Sequence, residues 1–267
     1  MIHLKSISMQ KLEQENKNYP FSLPVIQAFK SLEFTLPVSF FVGENGSGKS
    51  TLLEAIACAI DSVVVGSDNL RTDKTLGEIQ HLSRFLRLSW RKRTHKGFFL
   101  RAEDFFGYTR KLAHMRQELE EDLQAVDQDY LGRSKLAIDL ARSPHLNELN
   151  AITRRYGEGL DHQSHGEAFL ALFQSRFVPG GLYLLDEPEA PLSPLRQLAL
   201  ISIINEMLSQ DAQFIIATHS PILMAFPKAV IYNFDHSSIK PVEYTDLEHV
   251  NLTRSFLNDP QAYLRQL

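Results

Sequence analysis

The sequence predicts an α/β fold built on a mostly parallel sheet covered on both faces. Val38-Ser39-Phe40-Phe41-Val42 and Leu182-Tyr183-Leu184-Leu185 are short apolar runs bounded by turn residues, as expected of strands buried on both faces. Gln213-Phe214-Ile215-Ile216-Ala217 repeats the pattern. Between these runs lie stretches of helical character, so strands alternate with helices and a parallel sheet follows.

The elements follow in order. Residues 1 to about 42 read as short strands, with turn material at Asn16-Lys17-Asn18-Tyr19-Pro20. A helix is expected from the glycine-rich turn after Val42 to about Ile60. Residues ~76–90 carry apolar and basic positions at helical spacing, which puts Arg84, Arg87 and Arg91 on one helical face. Gly97-Phe98-Phe99-Leu100 reads as a short strand. From about Asp104 to Glu158 the composition turns polar and helical. After the strand opened by Gly180-Gly181, Ser193-Pro194 marks a helix start with a capping hydroxyl and Pro at the first position. Weaker strands are expected at Ala229–Phe234 and Ile239–Glu243.

Composition narrows the function classes. A chain of 267 residues with 43% hydrophobic content can bury a sizeable core, as one large domain or a domain with an inserted lobe. A net charge of −4 gives no global sign of nucleic-acid binding. The lone Cys58 excludes an internal disulfide and reads as packing. No apolar run approaches the ~20 residues of a membrane span, and Met1-Ile2-His3-Leu4-Lys5 lacks a signal-peptide pattern. A cytoplasmic location is expected, and work at a membrane would need another subunit.

Chemistry enters with Gly43-Glu44-Asn45-Gly46-Ser47-Gly48-Lys49-Ser50-Thr51, set between a buried strand and a helix. That is the setting of a phosphate-binding P-loop. Gly43, Asn45, Gly46, Ser47 and Gly48 would turn successive backbone N–H groups onto phosphate oxygens, and the helix N-terminus adds its positive dipole end. Lys49 would reach the β- and γ-phosphates, Ser50 would take one position on Mg²⁺, and Thr51 would continue the cradle. The chain is expected to bind a nucleoside triphosphate, ATP, with Mg²⁺.

The second motif is Leu182-Tyr183-Leu184-Leu185-Asp186-Glu187-Pro188-Glu189. A buried strand ending in two acids sets both at the carboxyl edge of the sheet, beside the P-loop. Alone, the pair reads equally well as a solvated strand end. Coupled to the P-loop, Asp186 becomes a Mg²⁺ holder and Glu187 the acceptor of a proton from the attacking water.

In this order the motifs resemble those of the ATP-binding-cassette (ABC) ATPase superfamily. Gln163-Ser164-His165-Gly166-Glu167 stands where that superfamily has its signature, with Ser164, Gly166 and Glu167 matching and His165 replacing the usual first Gly. Glu189-Ala190-Pro191-Leu192-Ser193 matches the short D-loop, and Thr218-His219-Ser220-Pro221 matches the switch-histidine segment. The resemblance spans about Val38 to Pro227. It implies an ABC ATPase head with N-terminal antiparallel strands and an inserted helical lobe. One domain would then cover 1–267, with a nucleotide-binding core from 1–103 and 168–267 and a lobe over 104–167. It also implies a homodimer formed head to tail on ATP. Ser164 and Gly166 would reach the partner's γ-phosphate, while His219 would contact it in cis. The superfamily's Q-loop glutamine has no match; Glu103 is the nearest polar substitute at that place. For the adenine-stacking aromatic, Tyr19 and Phe21 are candidates, with core packing the favoured reading of each.

The branch most resembled is the soluble one, comprising chromosome-maintenance, double-strand-break-repair and overcoming-lysogenization-defect ATPases, and within it a compact bacterial family of stand-alone ATPases. That implies ATP hydrolysis in nucleic-acid maintenance or bacterial defence. The alternatives are the ATP-binding subunit of an ABC transporter and a slow nucleotide-gated dimerisation switch for a protein partner. A basic segment, 81–101, holds His81, Arg84, Arg87, Arg91, Lys92, Arg93, Lys96 and Arg101, interleaved with Trp90, Phe98 and Phe99. It reads as a track for DNA or RNA phosphates or, more plainly, as a solvated face. Acidic residues from Glu118 to Asp129 read as a solvated helix face or a docking site for a protein partner.

Overall fold

The computed structural model describes residues 1–10, 18–65, 77–156 and 165–265. Nine strands and ten helices follow one another along these segments. The first strands are β1 (Leu4–Met9), β2 (Ser31–Glu33) and β3 (Val38–Val42), with the short helix α1 (Pro24–Ala28) between β1 and β2. Helix α2 (Lys49–Ala59) leaves β3 through the glycine-rich turn, and α3 (Gly77–Ser83) precedes β4 (Leu86–Trp90) and β5 (Gly97–Arg101).

Two long helices follow, α4 (Ala102–Asp129) and α5 (Lys135–Tyr156). The chain then runs through α6 (His165–Arg176), β6 (Leu182–Asp186), α7 (Pro194–Ser209), β7 (Gln213–Ala217) and α8 (Pro221–Met224). It ends with β8 (Ala229–Asn233), β9 (Lys240–Val242), α9 (Glu248–Asn258) and α10 (Pro260–Leu264).

The main sheet has the order β5-β6-β7-β3-β8-β9. All pairs are parallel except β8–β9. The three apolar runs read from the sequence are β3, β6 and β7, buried along their whole length. Their alternate residues feed two cores. Phe40, Leu185 and Ile216 face α6 and α7 through Phe169, Phe173, Leu200 and Ile204. Phe41, Leu184 and Ile215 face α2 through Leu52, Leu53 and Ile56, together with Leu4 and Ile7 of β1. A fully parallel run of strands requires this double cover, because neither face can be left to water.

The second sheet, β2-β1-β4, is antiparallel. Buried Gln213, the first residue of β7, ties it to the main sheet. Its side-chain oxygen accepts the N–H groups of His3 at 2.7 Å and Leu4 at 2.8 Å, and its nitrogen donates to the Leu4 carbonyl at 3.0 Å.

Helix α4 follows β5 with no intervening loop and, at 28 residues, is about 42 Å long. Helix α5 runs back along it: Arg142 pairs with Asp127 and His145 lies near Asp122, at 3.4 and 3.6 Å. Part of the acidic run expected on a solvated face is thus turned toward α5.

Three expectations are corrected. Residues 77–90 are not one helix: α3 stops at Ser83 and β4 begins at Leu86, because β1 offers an edge to which Leu86, Leu88 and Trp90 pair. Arg84, Arg87 and Arg91 therefore do not share a helical face. Arg101 is buried at the end of β5, bonded to acids, and is not a surface cation. Ser193 occupies the N-cap position of α7, yet its side chain accepts no capping bond.

Candidate functional site

Every parallel strand ends on the same edge of the main sheet, so the residues that follow them converge. The P-loop follows β3, Asp186 closes β6 with Glu187 after it, and Thr218-His219 follows β7. Arg101 closes β5, and Asp235 stands two residues beyond β8.

Gly48, at the N-cap of α2, has a left-handed backbone (φ +97°), and a Cβ there would lie 2.6 Å from Val25 of α1. Only glycine allows both. Lys49 is buried and folds back over its own loop, donating to the carbonyls of Gly43 at 2.7 Å and Glu44 at 2.8 Å. Burial lowers its ammonium below the usual lysine range, opposed by the nearby carboxylates of Glu187, Asp186, Asp235 and Glu44. Thr51 is buried, and its hydroxyl lies 3.1 Å from that of Tyr19.

Ser50 donates to an Asp186 carboxylate oxygen at 3.0 Å. Burial pushes the Asp186 carboxyl up to about 7; the Ser50 bond and Arg101 oppose the shift, and Glu54 and Glu187 add to it. A hydroxyl and a buried carboxylate so juxtaposed are a hard-oxygen pair of the kind Mg²⁺ accepts beside phosphate oxygens, and a dication would offset the burial cost of Asp186. The residues present fit that ion. Among the described residues no group of three or more His, Cys, Asp and Glu side chains is placed to hold a metal.

Glu187 adopts a left-handed backbone (φ 49°), uncommon for a residue with a side chain, and its N–H is held by the Ala217 carbonyl at 2.9 Å. Its carboxylate, about half exposed, lies 3.7 Å from Nε2 of His219. That nitrogen is buried and has no hydrogen-bond partner among the described residues. Burial and then Lys49 lower the His219 pKa, which keeps the ring neutral at pH 7.

P-loop, Asp186, Glu187 and His219 thus lie in one cluster. The signature residues lie elsewhere in the same chain. Gly166 sits in the first turn of α6, where a Cβ would meet Arg196 at 2.7 Å and the Pro191 carbonyl at 3.1 Å. Glu167 accepts from Arg196 at 2.6 Å. Ser164 falls outside the described residues.

Several neighbours were missed in the sequence. Glu189 is partly buried; one oxygen accepts from the Thr218 hydroxyl at 2.7 Å and from the N–H groups of His219 at 2.7 Å and Ser220 at 3.1 Å. It fastens the segment after β6 to the segment carrying His219. Asp235 accepts from the Glu44 N–H at 2.6 Å and so holds the entrance of the P-loop. The rule that flagged Asp186, an acid at the end of an apolar strand, would have found it. His249 of α9 reaches the same neighbourhood; burial lowers its pKa, with Asp235 and Glu44 opposing.

At the place of the missing glutamine, Glu103 points outward, its side chain 77% exposed, and Arg101 lies inside. The Arg101 guanidinium donates to Asp104 at 2.9 Å and to Glu54, one turn beyond Ser50, at 3.2 Å. Since Arg101 is the register partner of Asp186, the cation stands directly beside that acid. Of the two aromatic candidates Phe21 is core, at 1% exposure, while Tyr19 is half exposed beside Thr51.

Comparison with known proteins bears on these same segments. Residues 22–85, which contain the P-loop, match a family model described as "AAA domain". Residues 167–225, which contain Asp186, Glu187 and His219, match one described as "AAA domain, putative AbiEii toxin, Type IV TA system". No curated protein matches the sequence. Among solved structures, a nucleotide-free ATP-binding cassette from an ABC transporter aligns over 98% of this chain and 99% of its own, at 17% identity and a TM-score of 0.49. The Smc head domain of Pyrococcus furiosus, with an extended coiled coil and bound to the C-terminal domain of ScpA, aligns over 98% and 100% at 13% identity and 0.46. The SMC head domain of Thermotoga maritima aligns over 91% and 100% at 16% identity and 0.44. The two family matches take in both halves of the cluster, and both are described as AAA domains.

Proposed function

We propose that this chain hydrolyses ATP to ADP and phosphate at the carboxyl edge of its main sheet, and that two copies close head to tail around the nucleotide. The observation that carries the reading is the convergence of Lys49, Ser50, Asp186, Glu187 and His219 on one edge, with Ser50 3.0 Å from Asp186 and His219 3.7 Å from Glu187.

The backbone from Gly43 through Asn45, Gly46, Ser47 and Gly48 cradles the β-phosphate, and Thr51 extends the cradle toward the α-phosphate. Lys49 exchanges its two loop carbonyls for phosphate oxygens. Tyr19, exposed beside Thr51, is the aromatic on which the base stacks. Ser50 and Asp186 would hold Mg²⁺, which when bound would neutralise charge on the phosphates. Glu187 accepts the proton of the attacking water. Neutral His219 uses its unpartnered Nε2 to hold that water or a γ-phosphate oxygen, and Glu189 fixes the backbone from which it does so.

Gly166 and Glu167 lie against Pro191 and Arg196 in their own chain. They and Ser164 therefore serve the nucleotide of a second copy, which completes the site. The work driven is nucleic-acid maintenance or bacterial defence. The toxin and Type IV TA system named in one matching model's description favours the defence side. No described helix is long and apolar enough to cross a membrane.

The test is the mass of Glu187→Gln protein with and without Mg·ATP. A shift from one copy to two on nucleotide supports the reading. A single copy under saturating nucleotide contradicts head-to-tail closure.

A further inference from the structure

We propose that the exposed edge of β4 and the segments on either side of it bind the phosphate backbone of duplex nucleic acid. The segment from Arg84 to Lys96 contains no acid, although the whole chain carries a net charge of −4. Arg84, Arg87, Arg91, Lys92 and Arg93 are all exposed, and none forms an ion pair among the described residues. Strand β4 lies at the edge of its sheet, so nothing among the described residues pairs with its outer side. Charged edges protect sheets from pairing with other chains. That explains Arg87 on the strand; it does not explain three consecutive cations beyond its end.

The frame that carries them is fixed. The N–H groups of Arg91 and Lys92 donate to the His3 carbonyl at 2.8 and 3.3 Å, and the His3 ring lies 3.2 Å from the Lys92 carbonyl. Farther on, the Thr94 hydroxyl donates to the Gly180 carbonyl at 2.9 Å, and the Leu182 N–H to the Lys96 carbonyl at 3.0 Å. A polyanion docking here need order only side chains, not backbone. On β4, Arg87 and the adjoining Arg91 are four residues apart, about 13 Å in an extended chain, a span of several duplex phosphates.

The surroundings select the partner. Phe98 and Phe99, at 3% and 0% exposure, are core, and Trp90 packs against the core beside β1. With these rings turned to the core, and only the His95 imidazole exposed between 84 and 96, a single strand finds little on which to stack its bases. None of the exposed large hydrophobic residues falls between 84 and 96, so a protein partner would find no apolar anchor. What the patch offers is charge, which a duplex meets with one phosphate per about 1.7 Å. The inference gives the nucleic-acid side of the proposed function a surface, but it does not depend on ATP turnover.

The experiment is fluorescence anisotropy of a labelled DNA duplex, a matching RNA duplex and a single strand, titrated without nucleotide over a salt series. Five contacts predict a log–log salt slope of about −4.5, a loss of about 500-fold in affinity between 50 and 200 mM salt. Arg91→Ala/Lys92→Ala/Arg93→Ala should reduce the slope by about three while the variant's basal ATP turnover and melting temperature stay those of the wild type. Binding of either duplex with these properties supports the proposal, and the two arms show which duplex is preferred. No binding at 50 mM salt, tighter binding of the single strand, an unchanged triple variant, or capture by anionic lipid vesicles without duplex binding would overturn it. If duplexes bind but ATP is not hydrolysed, the ATPase reading falls and this surface stands.

Discussion

Asp186→Asn should make the nucleotide-free protein more stable at pH 8, because it removes a buried charge that, on the proposed reading, Mg²⁺ would offset only with nucleotide bound. The Asp186 carboxyl is 8% exposed and titrates near 7, against 3.8 for a free aspartate. Three units of difference correspond to about 4 kcal/mol at most. The folded pKa is raised, so the stabilising contribution is complete below pH 3.8 and is lost as pH rises toward 7. Above that the cost of the ionised form is constant. Asparagine keeps an oxygen to accept from Ser50 and carries no charge to bury. The variant should therefore melt on the order of 10 °C higher at pH 8, and the gap should shrink to less than half at pH 5. Adding Mg·ATP should raise the wild-type melting temperature more than that of the variant. Thermal unfolding by fluorescence at pH 5 and pH 8, with and without Mg·ATP, reads all of this. Equal melting at pH 8, or a gap that does not narrow toward pH 5, would refute the argument.

Other expectations follow from the same geometry. Lys49→Ala removes a cationic hydrogen-bond donor to phosphate and should weaken ATP binding about 10- to 100-fold in a labelled-nucleotide titration. The Mg²⁺ concentration giving half-maximal turnover should rise about tenfold per pH unit below 7, as protons compete for Asp186, and stay flat above it. Glu189→Ala leaves two backbone N–H groups and a hydroxyl without their acceptor, and should lower kcat about 10- to 100-fold with little change in KM. Arg101→Met strands Glu54 and Asp104 and should cost about 3–5 kcal/mol in urea unfolding, of which adding Glu54→Gln recovers part.

What was legible in the sequence was whatever follows from one segment and its immediate neighbours. The strands β3, β6 and β7 are apolar throughout because both their faces are covered, and the P-loop and the two acids follow them directly in the chain. Their convergence came from a topological rule that needs only the strands to be parallel. Segment 77–90 defeated the same reasoning because its apolar residues suit a helix and a strand alike. The antiparallel edge of β1, some eighty residues away, decides between them. Arg101 sits in a basic run and reads as one more surface cation, until α2 and α4 bring two carboxylates to it. Glu189 was visible as part of the turn after the acids. Its role depends on the segment carrying His219, thirty residues on, closing over it. Ser164 lies outside the described residues, and the head-to-tail role of the signature concerns a second copy.

Phosphate release from Mg·ATP by wild type and by Glu187→Gln, measured side by side at matched nucleotide occupancy, tests the central claim most directly. The account predicts Mg²⁺-dependent release by the wild type. In the variant it predicts undiminished ATP binding with release slowed at least about 100-fold, as loss of a general base implies. Release at the wild-type rate from Glu187→Gln, or none from the wild type with ATP bound, would contradict it.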